Sequence, residues 1–454
     1  MTELSPHLQD LSDFVTASPS SYHAAAEAAR RLEAAGYARV DERLDFPAAP
    51  GGYVLVRDGA VMAWRIPDAV PVASDGAVPV FRILGAHTDS PTFKLKPKPS
   101  TSREGWLQAG VEVYGGPLLN SWLDRELCFA GRMVSADGRE HLVRTGPVAR
   151  FPQLAIHLDR EANNGLTLDR QKHLNPIWGA APTAHTGGRD GEPAADILTV
   201  LARTAGLDAD DVAGFDVVMA DTQAPGLFGA AGEFFASGRL DNLSSVHAGL
   251  VAMERSVPRG DGAGAVAEGI AGEAAGAPVI PVLAAFDHEE LGSASRSGAA
   301  GPVLEDVLRR VLVALGVEGQ GAARSFAGSW LLSADAGHLV HPNYAERHDP
   351  VNHPVPNGGP LLKINANQRY STDAAGAAAF ARWCGVAGAP FQEFVSHNTV
   401  PCGSTIGPIS ATRLGIRTVD VGIGLLSMHS AREMCGAEDP ERLAGAVGAF
   451  YAGV

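Results

Sequence analysis

Two adjacent acidic residues, Glu289 and Glu290, follow an apolar run at 278–286 after only Asp287 and His288, in the sequence PVIPVLAAFDHEELGS. The run predicts a buried strand. Because unpaired charges at the edge of a buried sheet are costly, we expect something to compensate these carboxylates. Carboxylates in such a place can bind a metal ion or carry a proton during hydrolysis.

Four further polar clusters lie near the ends of predicted strands or at strand-to-helix junctions. They contain His87 and Asp89; Asp241; Asp335 with His338 and His341; and His429. In open α/β sheets, ligands bind outside the carboxyl ends of the strands. Imidazole nitrogens and carboxylate oxygens are a natural ligand set for zinc and similar divalent ions. The clusters therefore indicate a metal site if they meet at one sheet edge.

The residue types also suit a particular reaction. Two metal ions that share a bridging carboxylate could activate one water and polarise a substrate carbonyl, using about five protein ligands. A sixth carboxylate could take the proton of that water. Glu289 and Glu290 suit this division, one as base and one as ligand. Asp89, two residues after His87, could accept the other imidazole N–H and fix its tautomer.

Each cluster also has a structural explanation. The segment HTD at 87–89 could be a turn with a local side-chain hydrogen bond. The two glutamates could begin a helix, where carboxylates suit the helix dipole. A single acid at a strand end is usually a cap or a surface charge. From the residues alone, a metallohydrolase is a hypothesis that requires the clusters to converge in space.

The elements that would position these residues alternate between strand and helix. This alternation predicts an α/β fold with a mixed, mainly parallel sheet covered by helices on both faces. A strand that runs into a polar loop is predicted at 78–91, and further strands at 361–372 and 416–424. A hairpin with a DG turn is predicted at 53–66, and helices at 20–36 and 439–454.

The sequence pattern of residues 95–236 differs from that of the rest of the chain, with many short β-like segments separated by Gly, Pro and polar turns. They predict a mainly β domain inserted into the α/β domain, which is thereby divided into parts at 1–94 and 237–454. The Gly- and Ala-rich segment 258–278 predicts a mobile loop.

Composition argues against several classes of protein. The formal net charge of −15 argues against a nucleic-acid partner, which requires clustered Lys and Arg. The four cysteines show neither a disulfide framework nor CxxC spacing. The N-terminal residues have no signal-peptide pattern, and no apolar run approaches the ~20 residues that cross a membrane. We expect a cytoplasmic protein that does not enter the membrane.

At these residues the sequence closely resembles the aspartyl aminopeptidase family, the M18 metallopeptidases. The resemblance covers nearly the whole chain, including LAIHLDREANN in the predicted insert. Seven motifs occur in the family's order: GAHTDSPTFKLKP, LDNLSS, DHEELGSASRSGA, SADAGHLVHPNY, GPLLKINANQRYST, PCGSTIGPI and VDVGIGLLSMHSARE. This resemblance implies the fold of the dinuclear zinc exopeptidases, interrupted by a dimerisation domain. It also implies that dimers assemble into a tetrahedral dodecamer.

The resemblance also implies roles for single residues. Five match the family's ligands to two divalent metal ions, with zinc expected and manganese or cobalt as alternatives: His87, Asp241, Glu290, Asp335 and His429. Among them Asp241 matches the bridging ligand. Glu289 matches the general base, and Asp89 matches the carboxylate that orients the first histidine.

The implied substrates are short peptides with an N-terminal Asp or Glu. Lys363 matches the lysine that pairs with the acidic side chain of the substrate, and a desolvated carboxylate does need a cationic partner. Tyr370 and Gly403 are expected to line the same pocket. His157 matches an insert histidine that reaches the active site of a neighbouring subunit.

Two alternatives stay open. The chain could be a two-metal exopeptidase or deacylase that prefers neutral substrates. It could also be an inactive homologue that acts as a peptide-binding or scaffolding oligomer, although the intact ligand set and Glu289 count against this.

Overall fold

The computed structural model describes residues 3–68, 78–181, 195–256 and 277–453. The predicted mobile loop at 258–278 lies outside these ranges except for its last two residues. The described residues form a mixed α/β fold with a large, partly parallel sheet, as the alternation of elements predicts.

The strands and helices follow one another along the chain. The strands are β1 (Ala38–Arg39), β2 (Gly51–Arg57), β3 (Ala60–Ile66), β4 (Val80–His87), β5 (Thr92–Arg103), β6 (Trp106–Tyr114), β7 (Leu127–Ser135), β8 (Glu140–Arg144), β9 (Ile177–Ala180), β10 (Val212–Asp221), β11 (Gly226–Phe228), β12 (Phe234–Ser237), β13 (Val279–Phe286), β14 (Trp330–Ala334), β15 (Gly337–His338), β16 (Leu361–Lys363), β17 (Gln392–Phe394), β18 (Arg417–Gly422), β19 (Gly424–Leu425) and β20 (Glu433–Gly436). The helices are α1 (Pro6–Ala17), α2 (Ser21–Ala34), α3 (Ile197–Thr204), α4 (Leu240–Arg255), α5 (Val303–Ala314), α6 (Gln320–Gly328), α7 (Ala374–Ala387), α8 (Ile406–Leu414) and α9 (Asp439–Tyr451).

The large sheet has the strand order β1-β2-β3-β13-β4-β14-β18-β16-β17. Its four central strands, β13, β4, β14 and β18, run parallel to one another. Their carboxyl ends therefore meet at one edge, which is where polar side chains follow the apolar runs. The hairpin of β2 and β3 is antiparallel, and β3 continues antiparallel to β13.

Helices cover both faces of this sheet. Successive strand residues point to opposite faces, so Ile83 packs in the layer of α5, α6 and α8, and Leu84 packs in the layer of α1, α2, α4, α7 and α9. Both side chains are fully buried. The predicted helix at 20–36 is confirmed as α2, whose Ser20 side chain caps the backbone N–H of His23.

A second sheet of six antiparallel strands has the order β8-β7-β10-β5-β6-β9 and packs with α3 around its own core. It begins at Thr92, slightly before the predicted insert. β12, near the end of that insert, pairs instead with β20 close to the C-terminus. The division of the chain into domains stays a prediction.

The predicted strand at 361–372 is too long, because only Leu361–Lys363 is extended. The side chain of Asn365 accepts the backbone N–H groups of Asn367 and Arg369, which turns the chain away from the sheet. Among the described residues, no helix is both long enough and apolar enough to cross a membrane.

Candidate metal centre

Four of the predicted site residues leave neighbouring parallel strands at the same edge. His87 is the last residue of β4, and Asp335 directly follows β14. Glu289 and Glu290 follow β13 in a short 3-10 turn. The order of the strands places β4 between β13 and β14, so His87 lies between the glutamates and Asp335.

The other two predicted ligands come from irregular backbone. Asp241 stands at the start of α4 with non-helical angles, φ −81° and ψ 104°, and its peptide bond to Asn242 is cis. His429 lies between β19 and β20 with a left-handed φ of 66°. A left-handed φ is uncommon for a non-glycine residue, so the conformation of His429 needs support from its surroundings.

The side chains form two overlapping groups around Asp241. In the first, Nε2 of His87 lies 3.3 Å from Oδ1 of Asp241 and 3.4 Å from Oδ1 of Asp335. In the second, Nε2 of His429 lies 3.4 Å from Oδ2 of Asp241 and 3.6 Å from Oε2 of Glu290. Each carboxylate oxygen of Asp241 thus faces a different histidine.

These distances fit a metal. Two ligand atoms bound tetrahedrally to one zinc ion at about 2.1 Å lie about 3.4 Å apart. Oδ1 of Asp241 and Oε1 of Glu290 are buried and, within the described residues, have no hydrogen-bond partner. Buried carboxylate oxygens without a partner are costly, and a cation between the groups would satisfy them. The donor set of two imidazoles and three carboxylates is one that zinc accepts.

The pKa values of these residues are shifted because charged groups are gathered here without a cation. Burial lowers the pKa of His429, but the carboxylates of Asp241 and Glu290 outweigh it and raise that pKa to about 10. Burial raises the pKa of Glu289 to about 7; His87 opposes this shift, and Asp335 and Asp241 add to it. A carboxylate with a pKa near neutrality is suited to accept and return a proton.

Asp89 lies beside the ring of His87, and its role as the carboxylate that orients this ring stays a prediction. The ring Nδ1 of His87 lies 3.0 Å from the backbone carbonyl of Asp89 and 3.4 Å from its carboxylate. The carboxylate also accepts the backbone N–H groups of Glu289 and Glu290, at 3.0 and 3.2 Å, and the hydroxyl of Tyr114 at 2.9 Å. Asp89 therefore holds the turn that carries both glutamates.

A cleft opens over the centre, and the predicted substrate residues Lys363, Tyr370 and Gly403 line it together with Glu289. Nζ of Lys363 is buried, donates to the carbonyl of Ala336 at 2.7 Å and lies 5.3 Å from the Tyr370 ring. His157 is exposed in a loop of the second sheet and, within the described chain, is not among the residues that line the cleft.

Sequence reasoning missed three groups that hold the centre. Glu433 accepts the backbone N–H groups of Asp241 and His429. Tyr114 binds Asp89, and the carbonyl of Gly116 lies 3.0 Å from Nδ1 of His429. Glu433 stands in the motif SMHSARE beside His429, which was the only signal available. Tyr114 and Gly116 lie in the predicted insert, and no sequence signal pointed to them.

A parallel sheet edge that gathers histidines and carboxylates beneath an open cleft is typical of metal-dependent hydrolases. Residues 14–451 match the family model described as Aminopeptidase I zinc metalloprotease (M18). The chain belongs to the M18 aminopeptidase family, whose members are peptide hydrolases, and the resemblance noted in the sequence is confirmed. The family description also supports zinc as the metal.

Individual relatives span the same length. The chain is 50% identical over 446 residues to a probable M18 family aminopeptidase 2 of Streptomyces coelicolor, covering 98% of this chain and 97% of the relative. It resembles a chain in the cryo-EM structure of the Ape4 and Nbr1 complex, with TM-score 0.89, 34% identity and coverage of 99% and 88%. It also resembles the S. cerevisiae mApe1 dodecamer, with TM-score 0.78, 27% identity and coverage of 98% and 95%.

Proposed function

We propose that this protein is a dinuclear metalloaminopeptidase that removes an N-terminal Asp or Glu from short peptides. The ions would be two divalent cations, with zinc expected from the family and manganese or cobalt as alternatives. Asp241 would bridge them, because its two oxygens face separate histidines at 3.3 and 3.4 Å. Asp335 would be a further ligand beside His87, and Glu290 would be a further ligand beside His429.

The residues around the cleft have separate roles in the proposed hydrolysis. Bound divalent cations would lower the pKa of a water and polarise the scissile carbonyl. Glu289 accepts the proton of the attacking water as the new C–O bond forms, and then delivers it to the leaving amine as the C–N bond breaks. Asp89 keeps this base in place through the backbone N–H of Glu289.

The observation that carries the substrate class is the burial of Lys363 in the cleft that Glu289 lines. Its side chain is 1% exposed, and its ammonium lies 3.6 Å from Oδ2 of Asp335. An ammonium has three donors, so Lys363 can bind a substrate carboxylate while it keeps the Ala336 carbonyl. A desolvated acidic side chain requires such a cationic partner, whereas a neutral side chain does not.

The proposal includes an assembly. The inserted segment 95–236 would join two chains, and His157 would reach the active site of the neighbouring subunit. Its exposure leaves the side chain free to do so. The neighbour described as an mApe1 dodecamer supports an oligomer. In our proposal dimers assemble into a closed tetrahedral dodecamer, which would admit only short peptides. We place the protein in the cytoplasm, where such peptides arise.

Hydrolysis of α-aspartyl-, α-glutamyl-, leucyl- and lysyl-p-nitroanilide by metal-stripped protein tests this function, before and after addition of Zn²⁺, Mn²⁺ or Co²⁺. We expect metal-dependent activity confined to the two acidic substrates and two metal ions bound per chain. Activity on neutral substrates would keep the centre and overturn the substrate class. No activity from folded, oligomeric protein with any of the metals would favour the scaffold alternative.

A further inference from the structure

We propose that Glu433 is a positioning residue that sets the metal affinity of the centre by holding the backbones of Asp241 and His429 together. Its side chain is 2% exposed. Oε2 accepts the backbone N–H of Asp241 at 3.0 Å, and Oε1 accepts that of His429 at 2.8 Å. One buried carboxylate therefore connects two residues that are far apart in the chain and face each other in the site. The inference rests on the proposed roles of Asp241 and His429 as metal ligands.

The place of Glu433 in the fold makes this contact possible. Glu433 begins β20 and stands opposite Ser237 in the register with β12. Asp241 follows β12 by only a few residues, and His429 precedes β20 by a similar distance. The pairing of the two strands thus brings both irregular segments beside one side chain.

Both held residues lie in irregular backbone. The backbone of His429 is left-handed, and that of Asp241 is non-helical within the first turn of α4. Neither conformation is maintained by a helix or sheet ladder, and each amide instead donates to a buried carboxylate. A small shift of either backbone would change the 3.4 Å separation of the Asp241 and His429 ligand atoms. Glu433 therefore acts on the metal through its ligands.

A second buried carboxylate offers a matched control. Asp439 is 1% exposed and accepts the backbone N–H groups of Asn357 and Gly359, both at 2.9 Å. Neither of those residues belongs to the metal centre. Asp439 and Glu433 hence make the same kind of contact, and only Glu433 makes it to proposed ligands.

The test compares Glu433→Gln with Asp439→Asn. Glutamine keeps the size of Glu433 but turns one acceptor oxygen into an NH₂ group that faces an N–H donor. We expect roughly 10–100-fold weaker zinc binding in E433Q, as for the loss of other groups that orient ligands, and wild-type affinity in D439N. Competition with a zinc chelator gives the dissociation constants, and the absorption of Co²⁺ reports the ligand geometry.

A purely structural role would destabilise both metal-free variants and leave zinc affinity unchanged, and that result would overturn the proposal. If E433Q does not fold, hydrogen exchange of metal-free wild-type protein decides the matter. The amides of Asp241 and His429 should then be protected, and exchange at the unfolded rate would refute the contact. If wild-type protein binds no zinc at all, the proposed function is wrong, and this outcome is distinct from a failure of the Glu433 proposal alone.

Discussion

The carboxylate of Glu289 lies 4.0 Å from Nε2 of His87, whereas that of the adjacent Glu290 lies 3.6 Å from Nε2 of His429. Two consecutive glutamates thus face different histidines of one centre. Asp89 holds the backbone N–H groups of both, so their directions are set by a common support. This arrangement lets neighbouring, chemically identical residues take the separate roles of base and ligand.

Glu289→Gln should lower kcat by about 10²–10⁴-fold, because an amide cannot accept the proton of the attacking water. Metal content and thermal stability should stay close to wild type, since Glu289 is not assigned as a ligand. Steady-state kinetics and elemental analysis of the purified protein measure both quantities.

Glu290→Gln is the matched comparison, because it changes the neighbouring residue in the same way. We expect this variant to lose bound metal as well as activity. Near-normal turnover in E289Q, or equal loss of metal from both variants, would contradict the assigned roles.

Lys363→Ala should reduce kcat/KM for aspartyl and glutamyl substrates by roughly 100-fold, because the substrate carboxylate loses its buried partner. Leucyl substrates should be affected far less. The exposed Arg382 on α7, outside the inserted segment, provides a control, and its change to Ala should alter neither activity. A uniform loss across all substrates in K363A would refute the specificity role.

His157→Ala should impair activity through the partner subunit. If each active site combines its own Glu289 with the His157 of a neighbour, a mixed dimer of H157A and E289Q chains contains one complete site. Co-expression of the two variants should therefore restore part of the activity that each lacks alone. Failure to recover activity in verified mixed assemblies would count against a shared site.

Stability of the metal-free protein should fall as pH rises from 7 to 9. In the folded state the pKa of Glu289 is raised to about 7, that of Glu433 to about 8 and that of His429 to about 10. In this window the folded protein therefore binds more protons than the unfolded chain, and proton release costs stability. His7 and His23, whose pKa values burial lowers to about 4, are neutral in the folded protein throughout this range, and in the unfolded chain they release nearly all their protons below pH 8.

Zinc should reverse this trend, because metal ligands bind in their deprotonated forms. The difference in Tm between zinc-loaded and metal-free protein should therefore widen as pH rises from 7 to 9. Differential scanning calorimetry measures it directly. A difference that stays constant across this range would show that the clustered groups do not bind the metal.

Much of the large sheet could be predicted from local patterns. The apolar runs that became β4 and β13, the hairpin at 53–66 and the helix at 20–36 all follow from periodicity, turn residues and caps, which act over a few residues. The strand at 361–372 was overestimated because Asn365 turns the chain with its own side chain, a contact that apolar content does not reveal.

The sequence by itself determined which side chains could do chemistry and that they stand at the ends of strands. It did so because residue type and strand periodicity are local properties. Only the tertiary structure decided that the two oxygens of Asp241 face different histidines, that Asp89 supports the glutamate turn, and that Glu433 joins Asp241 to His429. These relationships depend on strand order and on distances between residues remote in the chain, and packing of the whole fold sets both.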